Sequence, residues 1–211
     1  MLPTFLSYII VYFVPLFLWI AWKRKVSARV FPLIAGMGAY ILISLLRGVA
    51  RLVVLNDGVK ETAWLYYLLS ALLSGVFEEV GRYIVFRFAM PNHDRKSDCV
   101  SYGIGHGAIE VILTHNLTDF TLFDDFITIY DLVTAAAFSV SMSVLVFAAV
   151  HYAENKKGLI AAIVLHTAID FTLVLEYYGV VSFGILILIH LAFTVGTCYL
   201  AYRVFRHYKD Y

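Results

Sequence analysis

Residues 64–90 read WLYYLLSALLSGVFEEVGRYIVFRFAM. The run is long enough to cross a bilayer, because a helix needs ~20 residues to span ~30 Å of hydrocarbon. Yet it carries Glu78, Glu79 and Arg82 well inside its ends. Residues 64–77 offer no polar face of the kind that turns a soluble helix toward water. The stretch therefore reads as a membrane span with charge buried inside it.

Similar apolar runs recur on both sides. Of the 211 residues, 62% are hydrophobic and the mean hydropathy is +0.83, whereas a soluble domain is nearer half apolar. Spans are predicted at roughly 3–22, 30–55, 64–90, 100–118, 132–153, 159–176 and 180–202. The expected fold is an all-α, polytopic membrane protein of about seven transmembrane helices. It is expected to form one helical-bundle domain over 1–211, with a catalytic core at about 64–176 and no room for a second, soluble domain. The first apolar run has its basic residues after it, which favours a retained helix over a cleaved leader.

Charge in the loops sets the expected orientation. Lys23, Arg24, Lys25, Arg29, Arg87, Arg95, Lys96, Lys156, Lys157, Arg203, Arg206 and Lys209 all fall at one end of alternating helices. The opposite loops hold Lys60 among Asp57, Glu61, Asp119, Asp124, Asp125, Asp131 and Glu176. The positive-inside rule then places the N-terminus outside and the C-terminus in the cytoplasm. The expected location is a bacterial cell membrane, with the lipid bilayer as the surrounding partner and no nucleic acid. Cys99 and Cys198 show no metal or disulfide spacing. Trp19, Trp22 and Trp64 suit the aromatic belts at span ends.

Three spans place ionisable residues at similar depth. Glu78, Glu79 and Arg82 lie in the third, His106 and Glu110 in the fourth, His166 and Asp170 in the sixth. From the cytoplasmic ends, ~1.5 Å per residue puts the glutamates roughly 17 Å deep, the histidines roughly 10 Å, and Glu110 and Asp170 roughly 16 Å. Residues four apart share a helix face, so each histidine faces the same way as its acid. Of the adjacent glutamates, one can face the centre while the other braces it through Arg82. Small residues such as Gly75, Gly103, Gly105 and Gly107 allow the helices to approach. Arg82 is the one fixed cation expected among these acids, and Arg47 and Arg51 are expected to snorkel or to pair with nearby acids.

Charge at mid-membrane costs ~2.5–3.5 kcal/mol per residue even on the lenient insertion scale. A polar network that only locks packing is the plainer explanation, but four acids represent on the order of 10 kcal/mol unless paired, protonated or hydrated. The chain has no HExxH and no GxSxG, which removes two familiar hydrolytic arrangements. What remains is glutamate with histidine. A carboxyl in a poorly hydrated cavity can act as a general base near neutral pH. Oxygen and imidazole donors also suit zinc with an open water position; if a metal is present, its ligands come from Glu79, His106, Glu110, His166 and Asp170. Metal-free and zinc-dependent hydrolysis both remain open, with precedence given to the metal-free route.

The order Glu-Glu-x-x-Arg, His-x-x-x-Glu and His-x-x-x-Asp over about 70–175 resembles the YhfC family of intramembrane peptidases. That family is similar in turn to the PrsW and type II CAAX prenyl protease (CPBP) groups. The prenyl protease motifs are EExxxR, FxxxH and HxxxN; this chain differs in the arginine spacing, in Glu110 and in Asp170. The resemblance implies that Glu78 activates a water that Glu79 and Arg82 orient. His166 and Asp170 would stabilise the oxyanion or hold a second water, and His106 and Glu110 would complete the site. The expected activity is an intramembrane endopeptidase acting on membrane-associated peptides, with its site opening toward the cytoplasmic half. The alternative is a proton- or cation-coupled transporter, since intramembrane acids and histidines also form ion relays.

Overall fold

The computed structural model describes residues 2–114, 122–152 and 157–207. His115, Asn116, Asp119, Lys156 and Lys209 lie outside these residues, as do the side chains of Asp124 and Asp125.

Among the described residues every regular element is a helix. The long helices are α1 (Leu2–Val26), α2 (Phe31–Val54), α4 (Ala63–Ile84), α5 (Lys96–Thr114), α6 (Leu122–His151), α7 (Lys157–Phe171) and α9 (Phe183–His207). Two short helices, α3 (Asp57–Lys60) and α8 (Leu173–Tyr177), sit between them. Within the described residues each predicted span falls on a long helix, but two differ from expectation. α6 begins before its apolar stretch, because a helix can continue past the hydrocarbon that hydropathy detects. The sixth span is divided at Thr172, whose hydroxyl bonds back to the Ile169 carbonyl at 2.6 Å and so competes with the helical ladder.

Among the described residues, four helical segments have the length and apolarity to cross a membrane: Val30–Val54, Ile129–His151, Lys157–Tyr177 and Phe183–His207. α4 and α5, which carry buried ionisable residues, are not among them. The outward faces of α2 and α9 are apolar: Leu45, Val49, Leu52 and Val53 on α2 and Leu188, Val195 and Tyr199 on α9 are exposed. An apolar surface of that extent marks contact with lipid or protein.

α5 lies between α2 and α6, and α4 packs on α7. The absence of a side chain decides the α5–α6 approach: a Cβ at Gly103 would stand 2.5 Å from the Val140 Cα, and one at Gly107 2.9 Å from the Ala136 Cα. α4 closes in a π-helical turn, Val85–Ala89, where the Met90 amide bonds to the Val85 carbonyl at 2.8 Å. Such turns often accompany functional sites.

The main core gathers Phe86, Met90, Cys99, Tyr102, Met142, Val146 and Phe147. Most of these residues lie toward the C-terminal ends of α4 and α6 and the N-terminal end of α5. Cys99 and Cys198 are not joined in a disulfide.

Candidate active site

α4 supplies the centre. Glu78 and Glu79 are adjacent, so their side chains leave the helix ~100° apart, and each meets a different set of partners. Both are buried, with Glu79 fully so.

Glu79 is held on both oxygens. Arg82, one helical turn on, donates to Oε2 at 2.5 Å, and His166 on α7 places Nδ1 2.7 Å from Oε1. The Arg82 guanidinium is itself buried and also reaches the Ser139 hydroxyl on α6 at 3.4 Å. A buried carboxylate sandwiched in this way fixes the ring of its histidine partner and selects which nitrogen is left to react. Here Nε2 of His166 points away from Glu79, 3.9 Å from Glu78 Oε2 and 3.9 Å from Asp170 Oδ2. Phe138 packs edge-on against the same ring, with centroids 5.4 Å apart.

Glu78 is the meeting point of four helices. Its Oε1 accepts a hydrogen bond from Arg47 on α2, and its Oε2 lies 3.3 Å from His106 Nε2 on α5. Arg47 was expected to snorkel or to find an acid, and it finds this one; Arg82 is therefore not the only cation serving the cluster. Arg47 and Arg51 both donate to the Ser74 hydroxyl, at 3.3 Å and 3.1 Å. The signal for this pair was present in the sequence as two arginines one turn apart in an apolar run, but nothing local named their partner.

All seven residues expected at the site stand in one neighbourhood. Glu78, Glu79, Arg82, His106 and His166 are buried, while Glu110 and Asp170 are partly exposed. Donor atoms of Glu78, His106 and Glu110 all lie within 4.8 Å of one another. His106 is fully buried, between Tyr40 edge-on at 5.0 Å and Tyr102 at 5.9 Å, and its Nδ1 has no partner. Two carboxylates and an imidazole converging on one small volume fit a divalent ion such as zinc. His151, in the FAAVH segment, stacks on Phe147 at 4.3 Å and takes no part in the cluster.

A cavity of about 200 Å³ adjoins the cluster. It is lined by Glu110 and Thr114 on α5, Asp131, Thr134 and Phe138 on α6, His166 and Asp170 on α7, and His190 and Thr194 on α9. These residues run from the cluster toward the end of the bundle that bears Thr114, Asp131 and Asp170. These lining residues lie at the ends of α5 and α7 opposite Lys96 and Lys157, with which those helices begin.

The family model for the YhfC intramembrane metalloprotease matches residues 10–120. The chain belongs to the YhfC family. The matched YhfC segment holds Glu78, Glu79, Arg82, His106 and Glu110, while His166 and Asp170 lie beyond it. Over 125 residues the chain is 35% identical to the uncharacterized membrane protein YhfC of Bacillus subtilis (strain 168), covering 56% of this chain and 48% of that protein. It thus spans about half the length of this curated YhfC relative. No solved structure matches the chain.

Proposed function

We propose that this protein is an intramembrane metalloprotease that hydrolyses peptide bonds of membrane-associated substrates. The observation that carries the reading is the convergence of Glu78, His106 and Glu110 donor atoms within 4.8 Å, in a family described as intramembrane metalloprotease.

In this reading Glu78, His106 and Glu110 hold the ion. Glu79, which the sequence suggested as a ligand, instead braces His166, and Glu78 takes its place. A divalent ion supplies Lewis acidity, which makes water nucleophilic at neutral pH and polarises a carbonyl. The protein's own groups do the rest. Asp170 faces the cavity and takes the proton of the attacking water. His166, locked by Glu79 through Nδ1, uses Nε2 to pass a proton to the leaving nitrogen, in keeping with general acid–base catalysis. Arg82 holds Glu79 in place. Arg47 neutralises Glu78 whenever the ion is absent.

About seven membrane crossings, an outside N-terminus, a cytoplasmic C-terminus and a bacterial cell membrane complete the proposal. Loop charge and the helix layout support these features. The likeness to the PrsW and CPBP groups rests on motif order alone.

The test is cleavage of membrane-anchored peptides by protein reconstituted in liposomes. Wild type with zinc should cleave; 1,10-phenanthroline, Glu78→Gln and His106→Ala should each stop cleavage. Full cleavage by both variants would end the proposal. The transporter alternative predicts uptake driven by a pH gradient in the same liposomes, with no peptide cut.

A further inference from the structure

Two cavities adjoin α1, away from the acid–histidine cluster. One, of about 530 Å³, lies among Trp19, Lys23, Arg24 and Ser27 at the basic end of the helix. The other, of about 220 Å³, lies between Val11, Pro15 and Leu16 on α1, Leu33 and Met37 on α2 and Ala108 on α5. Trp19 lines both. The α1 residues that line them stand at positions 11, 12, 15, 16, 19, 20, 23, 24 and 27, the spacing of a single helix face. One groove therefore follows α1, apolar along its length and cationic at its end.

The cationic end has no acid of its own. No carboxylate lines it, and among the described residues none pairs with Lys23 or Arg24. Arg29, two residues beyond Ser27, is by contrast taken by Asp98. The Lys23 ammonium lies 5.2 Å from the centre of the Trp19 ring, a cation–π contact that holds the charge at the mouth of the groove. Trp19 supplies a second, independent signal. It is only 7% exposed, and its indole nitrogen has no hydrogen-bond partner. A tryptophan at a span end ordinarily gives its N–H to the wet headgroup layer. Here the donor is desolvated and unpaired, a deficit that an oxygen of a guest in the groove removes.

Dimensions narrow the guest further. From Val11 to Trp19 the apolar part runs ~12 Å at ~1.5 Å per residue, close to the ~15 Å that one leaflet contributes to ~30 Å of hydrocarbon. A free phosphate would leave this part empty, and a neutral lipid would leave the cations unpaired. A transmembrane helix, ~10 Å wide with its side chains, is too broad for a space of about 220 Å³. An acyl chain with an anionic, oxygen-rich head matches both parts.

We propose that this groove is a binding site for one acidic phospholipid. Lys23 and Arg24 neutralise its phosphate, a phosphate or ester oxygen accepts the Trp19 N–H, and one acyl chain lies between α1, α2 and α5. Basic pockets beside membrane helices recognise acidic headgroups in this way. None of the seven cluster residues lines either cavity, so the site stands whether or not the protein is a peptidase.

The test is native mass spectrometry of the full chain in detergent, titrated with phosphatidylglycerol or phosphatidylcholine of the same acyl chains. Wild type should bind one phosphatidylglycerol at least about tenfold more tightly than phosphatidylcholine, since each cation near an acidic headgroup contributes about fivefold. Lys23→Gln/Arg24→Gln should bring the two lipids to equal affinity. Lys25→Gln/Arg206→Gln, which removes the same charge outside the groove, should keep the preference. Trp19→Phe keeps an aromatic ring without the N–H and should weaken phosphatidylglycerol binding about tenfold. Excess inorganic phosphate should displace none of the lipid. Equal affinity of wild type for both lipids overturns the site. So does an equal loss of preference in the two double variants, which marks general attraction to a basic surface. Displacement by phosphate overturns the lipid and leaves only an anion pocket, and unchanged binding in Trp19→Phe overturns the hydrogen bond.

Discussion

Glu79 Oε1 and His166 Nδ1 meet at 2.7 Å although 87 positions separate them in the chain. The contact ties α4 to α7 inside the bundle, and it decides which histidine nitrogen faces Glu78 and Asp170. A fully buried carboxylate between an arginine and a histidine is costly to desolvate, and removing one partner leaves charge uncompensated. The pair therefore has consequences for both stability and activity.

Glu79→Gln should keep the fold's outline but loosen His166. Losing a residue that orients a ligand or acid–base group typically costs 10–100-fold in activity or metal affinity, so we expect a fall of about that size in kcat/KM. Arg82→Met should destabilise by about 3–5 kcal/mol, because it removes the guanidinium that compensates the buried Glu79 and leaves it with His166 alone. Thermal unfolding in detergent, followed by tryptophan fluorescence, reads the second effect. Unchanged melting in Arg82→Met would contradict the pairing.

Zinc content separates ligands from neighbours. Purified Glu78→Gln, His106→Ala and Glu110→Gln proteins should each retain far less metal than wild type when assayed by mass spectrometry. His151→Ala should retain as much as wild type, because His151 stacks on Phe147 outside the cluster.

Arg47 competes with the metal for Glu78. Replacing it with methionine removes the charge that satisfies Glu78 in the metal-free protein, so the metal-free form should lose stability while zinc affinity rises by about tenfold, the sign expected when a like charge is taken from a cation site. Calorimetric titration of zinc measures the affinity. Weaker binding in Arg47→Met would show that Arg47 supports the site rather than opposing the ion.

Packing supplies a test independent of chemistry. Gly103→Ala puts a methyl group 2.5 Å from the Val140 Cα, and overpacking of this kind costs about 1–3 kcal/mol. Gly196→Ala, in the middle of α9, meets nothing within 4 Å, and should be neutral or stabilise by up to ~1 kcal/mol through helix propensity. Melting temperatures of the two variants should move in opposite directions or, for Gly196, not at all.

Much of the molecule was legible from local pattern. Hydropathy located the helices of residues 30–54, 157–177 and 183–207 because burial in lipid demands continuous apolar surface, whatever the neighbours are. The spacing of four between His106 and Glu110, and between His166 and Asp170, placed each pair on one face because helical geometry is the same everywhere in the chain. The expense of burying charge singled out the seven cluster residues before any fold was known. Partner choice could not be read in this way. That Arg47 takes Glu78, that Arg82 and His166 divide the oxygens of Glu79, and that Asp131, His190 and Thr194 share a cavity with Asp170 depend on how each helix is rotated and which helix lies beside it. The composition of the core was likewise settled by tertiary packing: Phe86, Met90, Tyr102 and Met142 converge from the π turn that closes α4, the residue after it, α5 and α6, a convergence that no single segment encodes.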